Sequence, residues 1–143
     1  MKILMQRVNR CKLTSEDYVS EIGFGLLITV GINKLDTELD VDKMANKIVN
    51  LRQFKDEAGK TNLSIKDICG DIMLVSNFTL QADTTRGTRP DFSKAGNPDN
   101  ALKLYLLLAE KIRNLGIKCE LGNFGHHMHI DCELDGPFGL ILE

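Results

Sequence analysis

The chain has no Cys-X-X-Cys pair, no apolar run of membrane-spanning length and no excess of positive charge. Its four cysteines, Cys11, Cys69, Cys119 and Cys132, are scattered. That spacing points away from a zinc ribbon or disulfide framework and toward free, mostly buried thiols. No stretch approaches the ~20 apolar residues that cross a bilayer. The N-terminal segment is interrupted by Gln6, Arg7, Asn9 and Arg10, so it lacks a secretory apolar core and the cytoplasm is the expected compartment. A net charge of −2 argues against a general polyanion binder, and any nucleic-acid contact must come from a local basic strip. There is no Gly-X-Ser-X-Gly elbow, internal repeat, low-complexity tract or linker.

What is present describes an ordinary globular protein. With 143 residues, 43% hydrophobic and 27% charged, the chain is expected to form one domain, residues 1–143, around a proper core. Residues 1–10 alternate as a strand, and 13–17 read as a turn before a short strand near Tyr18–Ile22. Gly23-Phe24-Gly25 reads as a bend, and the run Leu26–Gly31 as a buried strand. Asp36 or Thr37 caps a helix with Val41, Met44, Ala45, Ile48 and Leu51 on one face, ending near Phe54 before a polar turn over 55–60. A strand is expected over Ile72–Phe78, then a long ordered loop over Gln81–Pro98 of the kind that usually has a function. Asn97-Pro98 starts a second helix striped by Ala101, Leu104, Tyr105, Leu108, Ile112 and Leu115 and stopped by Gly116. Strands over 117–122, 128–134 and 138–142 follow, the last two joined by a turn at Gly136-Pro137. Hairpin-like groups dominate this order, so an α+β fold with largely antiparallel sheets is expected.

Side chains suited to catalysis are few. Ser76 and Thr79 follow an apolar strand, but no histidine stands near either in sequence to activate a nucleophile. Backbone amides at that strand end can instead stabilise an oxyanion. His126, His127 and His129 form a cluster in which only two imidazoles share a strand face, too few for a closed metal site. No metal and no cofactor are expected. Arg86, Arg89 and Lys94 lie in the long loop near Gly87 and Pro90, where solvated charge and phosphate contact are both open readings. Phe54, Phe78, Phe92 and Phe124 read as core residues before base-stacking platforms.

Taken in order, a collinear set of residues resembles the D-aminoacyl-tRNA deacylase family over nearly the whole chain. It includes Met5-Gln6-Arg7-Val8, Gly25-Leu26-Leu27, Asp36-Thr37, Ser76–Leu80, Ala82-Asp83-Thr84, Arg86-Gly87, Arg89-Pro90, Phe92, Phe124-Gly125, Met128 and Asp135-Gly136-Pro137. The resemblance implies a barrel-like sheet assembly with two main helices, acting as a homodimer on the ester between tRNA and a D-amino acid or glycine. It implies catalytic roles for Ser76, Asn77, Phe78 and Thr79, chiefly through backbone donors, with Thr79 as the alternative nucleophile. It also implies a substrate pocket of Gly136, Pro137, Phe124 and Met128, with a cis Gly-Pro pair reaching over from the partner subunit to exclude L side chains. Arg7, Arg86, Arg89 and Lys94 are the expected tRNA contacts. The chain departs from the family pattern at Asn77, at Leu134, Phe138 and Gly139 around the Gly-Pro pair, at His126 and His127, and at Thr61. Two further readings use the same scaffold: a catalytically weak tRNA-binding or nucleic-acid-binding protein, and a purely structural dimer module.

Overall fold

The computed structural model describes residues 1–143. Its organising element is β1, Lys2–Ser15, a strand long enough to serve three partners. Along one edge it pairs antiparallel with β3, Gly25–Gly31, and then with β2, Tyr18–Ile22. Along the other it pairs antiparallel with β8, His129–Leu142. The sheet continues from β3 to β6, Asp71–Ser76, and β7, Cys119–Leu121, both in parallel register. At the far seam the Tyr18 hydroxyl donates to the Leu121 carbonyl at 2.8 Å. The ends of the sheet thus curl toward each other into a nearly closed barrel.

The hydrophobic runs of β3 and β6 follow from having both faces covered. Leu26, Ile28, Ile72 and Leu74 face the larger cluster under the helices, whereas Leu27, Met73 and Val75 face a smaller cluster inside the barrel with Val8, Cys11 and Leu13. At the start of this parallel pair an added Cβ on Gly25 would collide with the Asp71 backbone, so only glycine lets the two strands close.

Helix α1, Glu38–Asn50, buries Val41, Met44, Ala45, Ile48 and Val49. Its first turn is held by Asp40, whose carboxylate accepts from the Thr37 N–H at 2.9 Å and the Thr37 hydroxyl at 2.7 Å. Helix α2, Pro98–Asn114, starts with the Asn97 side chain accepting from the Asn100 N–H at 2.9 Å. It turns Leu104, Tyr105, Leu108, Ala109 and Ile112 into the same large cluster. Neither helix is long and apolar enough to cross a membrane.

Several sequence expectations need correction. Strand β1 runs on through the segment read as a turn, because β2 and β8 flank it there. The polar stretch 55–60 is the tip of a small hairpin, β4 Phe54–Lys55 with β5 Thr61–Leu63. The expected strand over 72–78 stops at Ser76, and Phe78–Gln81 forms one turn of 3-10 helix. The two strands expected around Gly136-Pro137 are a single strand, β8. Gly139 pairs with Gln6 and Leu134 with Val8, so residues 135–138 bulge past Arg7 alone. The Gly136–Pro137 bond within that bulge is cis.

Candidate active site

Strand β6 delivers Ser76 and Asn77 to the rim of a cavity of about 570 Å³. Thr29 and Ile32 form one wall, the start of α2 another, and Phe124 and Met128 with Ile130 a third. The walls are tied together by the core. The Tyr105 hydroxyl donates to the Leu74 carbonyl at 2.7 Å and accepts from the Gly122 N–H at 3.1 Å. Its ring stands 5.6 Å from that of Phe124. Burial pushes the Tyr105 hydroxyl far above its ordinary pKa, so it acts here as a neutral strut.

The turn after β6 sets which polar groups face the cavity. The Asn77 N–H donates to the Val30 carbonyl at 2.8 Å. The Asn77 side-chain oxygen accepts from the Thr79 N–H at 3.2 Å and the Thr79 hydroxyl at 2.6 Å. Phe78 is the first residue of the 3-10 turn, and an N–H in that position has no intrahelical acceptor. It therefore lies as an uncommitted donor between two committed amides. The turn is pinned from behind by Gln81, whose amide donates to the Gly31 carbonyl at 2.6 Å and whose oxygen accepts from Asn33 at 2.9 Å.

No imidazole or carboxylate hydrogen-bonds Ser76 or Thr79. Thr79 is exposed, lies outside the cavity lining and spends its proton on Asn77. Phe78 and Phe92, read as core residues, are 57% and 38% exposed and meet edge to face at 5.2 Å beside the cavity. An apolar ring sits outside here because the 3-10 turn rotates Phe78 off the strand's buried face. Lys94 pairs with Asp83 at 2.9 Å, whereas Arg86 and Arg89 stand exposed without ion-pair partners.

Arg7 differs from the other three expected tRNA contacts. It is only 7% exposed. Its guanidinium donates to the Gln53 carbonyl at 3.0 Å and the Asp135 carbonyl at 3.3 Å, pairs with the Asp135 carboxylate at 3.2 Å, and lies 4.3 Å from the centroid of the Phe138 ring. It braces the bulge that carries Gly136 and Pro137 and is far less accessible than Arg86, Arg89 and Lys94. Gly136 and Pro137 themselves are exposed and are not part of the lining of this chain's cavity.

Residues that sequence reasoning missed include Thr29, Ile32 and Ile130, together with Ala95, Gly96 and Pro98 of the α2 approach. The one available signal was Thr29, a lone hydroxyl in the run Leu26–Gly31, whose Oγ1 is buried without a partner. His126 and His127 also reach the rim. The His127 and His129 rings are in edge contact at 4.9 Å, and His126 faces Glu16 at 3.6 Å. No three His, Cys, Asp or Glu side chains converge in a metal-holding group.

A family model described as D-Tyr-tRNA(Tyr) deacylase matches residues 4–143. The chain belongs to this family. A D-aminoacyl-tRNA deacylase of Thermosipho melanesiensis is 46% identical over 145 residues, covering 100% of this chain and 97% of the relative. The solved c-Myc DNA Unwinding Element Binding Protein superposes with a TM-score of 0.94 at 36% identity, covering 100% of this chain and 98% of that one. A probable eukaryotic D-amino acid tRNA deacylase shares the fold with a TM-score of 0.88 at 14% identity, covering 99% and 97%.

Proposed function

We propose that this protein, as one deacylase unit over residues 1–143, hydrolyses the ester between tRNA and a D-amino acid, releasing both. Glycine mischarged on tRNA-Ala is the second substrate, and the setting is the cytoplasm. The observation that carries this reading is an uncommitted Phe78 N–H at a cavity rim with no paired base. An aminoacyl ester is already activated. A site that orients it and stabilises the tetrahedral oxyanion is therefore sufficient without a side-chain nucleophile. In this mechanism the ester carbonyl oxygen sits on the Phe78 N–H, and Ser76 and Asn77 border the reacting carbon. Water attacks with help from the terminal 2′-OH of the tRNA. Phe124 and Met128 bound the aminoacyl group, and Arg86, Arg89 and Lys94 meet the phosphates of the acceptor end.

The pocket is completed by a homodimer. Gly136 and Pro137 project from β8, on which Leu134 and Ile141 are 50% and 66% exposed. A second copy seated over the Leu134–Ile141 part of this strand brings its own Gly-Pro pair to the cavity of the first. There the two carbonyls receive the substrate ammonium group and leave no room for an L side chain. Hydrolysis of D-Tyr-tRNA, Gly-tRNA and L-Tyr-tRNA compared side by side tests the reading. D-Tyr and Gly esters are expected to be cleaved and the L-Tyr ester spared. Equal cleavage of D and L esters removes the chirality filter, and no cleavage of any removes the enzyme.

The 36% identical c-Myc DNA Unwinding Element Binding Protein supports a second reading, nucleic-acid binding on this scaffold without turnover. Its sign is tRNA affinity with no hydrolysis of D-aminoacyl esters.

A further inference from the structure

Cys11 and Cys132 are direct partners in the antiparallel register of β1 and β8. Residues opposite each other in such a ladder project to the same face with Cα atoms ~4.5–5.5 Å apart. That separation lies inside the ~4.4–6.8 Å window a disulfide requires. The side chains do share a face, because Cys11 belongs to the small barrel cluster and Cys132 packs against it from the rim. The two thiols differ in access. Cys11 is 1% exposed, whereas Cys132 is half-buried and borders solvent. Neither of the other two cysteines stands opposite a cysteine: Cys119 is buried on β7 and pairs with Ile72, and Cys69 is exposed in the loop before β6.

We propose that Cys11 and Cys132 form a reversible oxidation site, closed by hydrogen peroxide into a cross-strand disulfide that locks β8 onto β1. The Cys132 sulfur attacks peroxide, the O–O bond breaks, hydroxide leaves as water and Cys132 becomes a sulfenic acid. The Cys11 sulfur then attacks the Cys132 sulfur. The S–O bond breaks, and the hydroxyl leaves as water with the Cys11 proton. Overall two thiols and one peroxide give one disulfide and two waters, with sulfur losing the two electrons that the peroxide gains. The order follows from access and acidity. Burial, then Cys132 and then Asp131, push the Cys11 thiol up to about 11, so it is a poor first nucleophile toward the oxidant. Held against Cys132, it is positioned to resolve the sulfenic acid before further oxidation.

The location gives the crosslink a structural effect. Cys132 lies on the paired flank of β8 that leads into the 135–138 bulge, where the register already shifts between Gln6, Val8 and Arg10. A covalent tie here fixes the flank of the Gly136-Pro137 bulge against β1.

The test uses the full chain with Cys69→Ser, which removes the exposed competing thiol. After peroxide treatment and alkylation under denaturing conditions, the protein is expected to lose two hydrogens and to keep one alkylatable cysteine, Cys119. Peptide mapping is expected to join the segments holding Cys11 and Cys132, and dithiothreitol to restore both thiols. The oxidised form is expected to melt on the order of 10 °C higher, because the tie closes a loop of most of the chain. Cys132 oxidised to sulfinic acid beside a free Cys11 would overturn the proposal, as would a Cys132–Cys132 link between copies. An oxidised form that melts at or below the reduced one would show that the register does not fit the bond.

Discussion

Replacing Arg7 by Met keeps an unbranched stem in the same space and removes the charge, and its cost can be assembled from the contacts of the guanidinium. The bond to the buried Gln53 carbonyl, at 3.0 Å, is the largest contribution, since a charged donor to a buried acceptor is worth ~1.5–3 kcal/mol. The Phe138 ring, 4.3 Å from the guanidinium, adds ~0.5–2 kcal/mol as a cation–π contact. The Asp135 carboxylate is 42% exposed and is re-solvated when its partner leaves, so that pair contributes at most ~1 kcal/mol. Apolar packing by the Met stem returns about 1 kcal/mol. The expected net loss is ~1–5 kcal/mol, read from urea unfolding by linear extrapolation. A deacylation assay on the same protein, below its unfolding transition, is expected to show slower turnover of D-Tyr-tRNA, because the bulge holding Gly136-Pro137 loses its brace. A phosphate-binding Arg7 gives the opposite pattern. Stability then stays within about 0.5 kcal/mol, while the dependence of log Kd on log salt loses ~1 from its slope. That pair of results would refute the bracing role.

Thr79→Ala is expected to retain substantial deacylase activity, because the Thr79 proton is held by Asn77; single-turnover hydrolysis of D-Tyr-tRNA at the uncatalysed rate by the folded variant would make Thr79 the nucleophile. Tyr105→Phe strips the hydroxyl that bridges the Leu74 carbonyl and the Gly122 N–H and is expected to cost ~1–3 kcal/mol in urea unfolding; a neutral substitution would show that water replaces the hydroxyl. Asp83 is held well below the usual carboxylate range, first by the Thr85 hydroxyl and then by Lys94. Its contribution to loop order is therefore full above the ordinary carboxylate pKa and is lost only as the pH falls through the lower folded value. Carboxyl-carbon NMR is expected to find it among the last Asp groups to protonate, and an ordinary titration would show that the Asp83–Lys94 pair is not formed in solution.

Both helices were legible because their signals are local. Asn97-Pro98 starts α2, and the spacing of Leu104, Leu108 and Ile112 defines its buried stripe. The runs of β3 and β6 read as strands for a similar reason, although their parallel pairing has no local signature. What escaped the sequence depends on distant partners. Gly136-Pro137 reads as a turn by composition, but β1 flanks it on both sides and keeps β8 continuous. Phe78 extends an apolar run, and only the Asn77 cap reveals that the strand has ended. Arg7 looks like a surface cation until Asp135, 128 residues away, is brought beside it. Ser76, Asn77, Phe78, Phe124 and Met128 line one cavity, while the walls formed by Ile32 and Ile130 carry no chemical signal to be read.

The position of β1 at the head of the chain and of its partner β8 after every other element sets an order of assembly. During synthesis β1 meets β2 and β3 early, but its opposite edge stays bare until residues from His129 onward have left the ribosome. For that interval a long strand with Ile3, Met5 and Val8 on it is open to pairing with another nascent chain. Closure depends on contacts between the two extremes of the sequence, which makes this a slow-folding topology for its size. A truncation that removes part of β8 would therefore do more than delete an edge strand: it would leave β1 permanently bare along one edge.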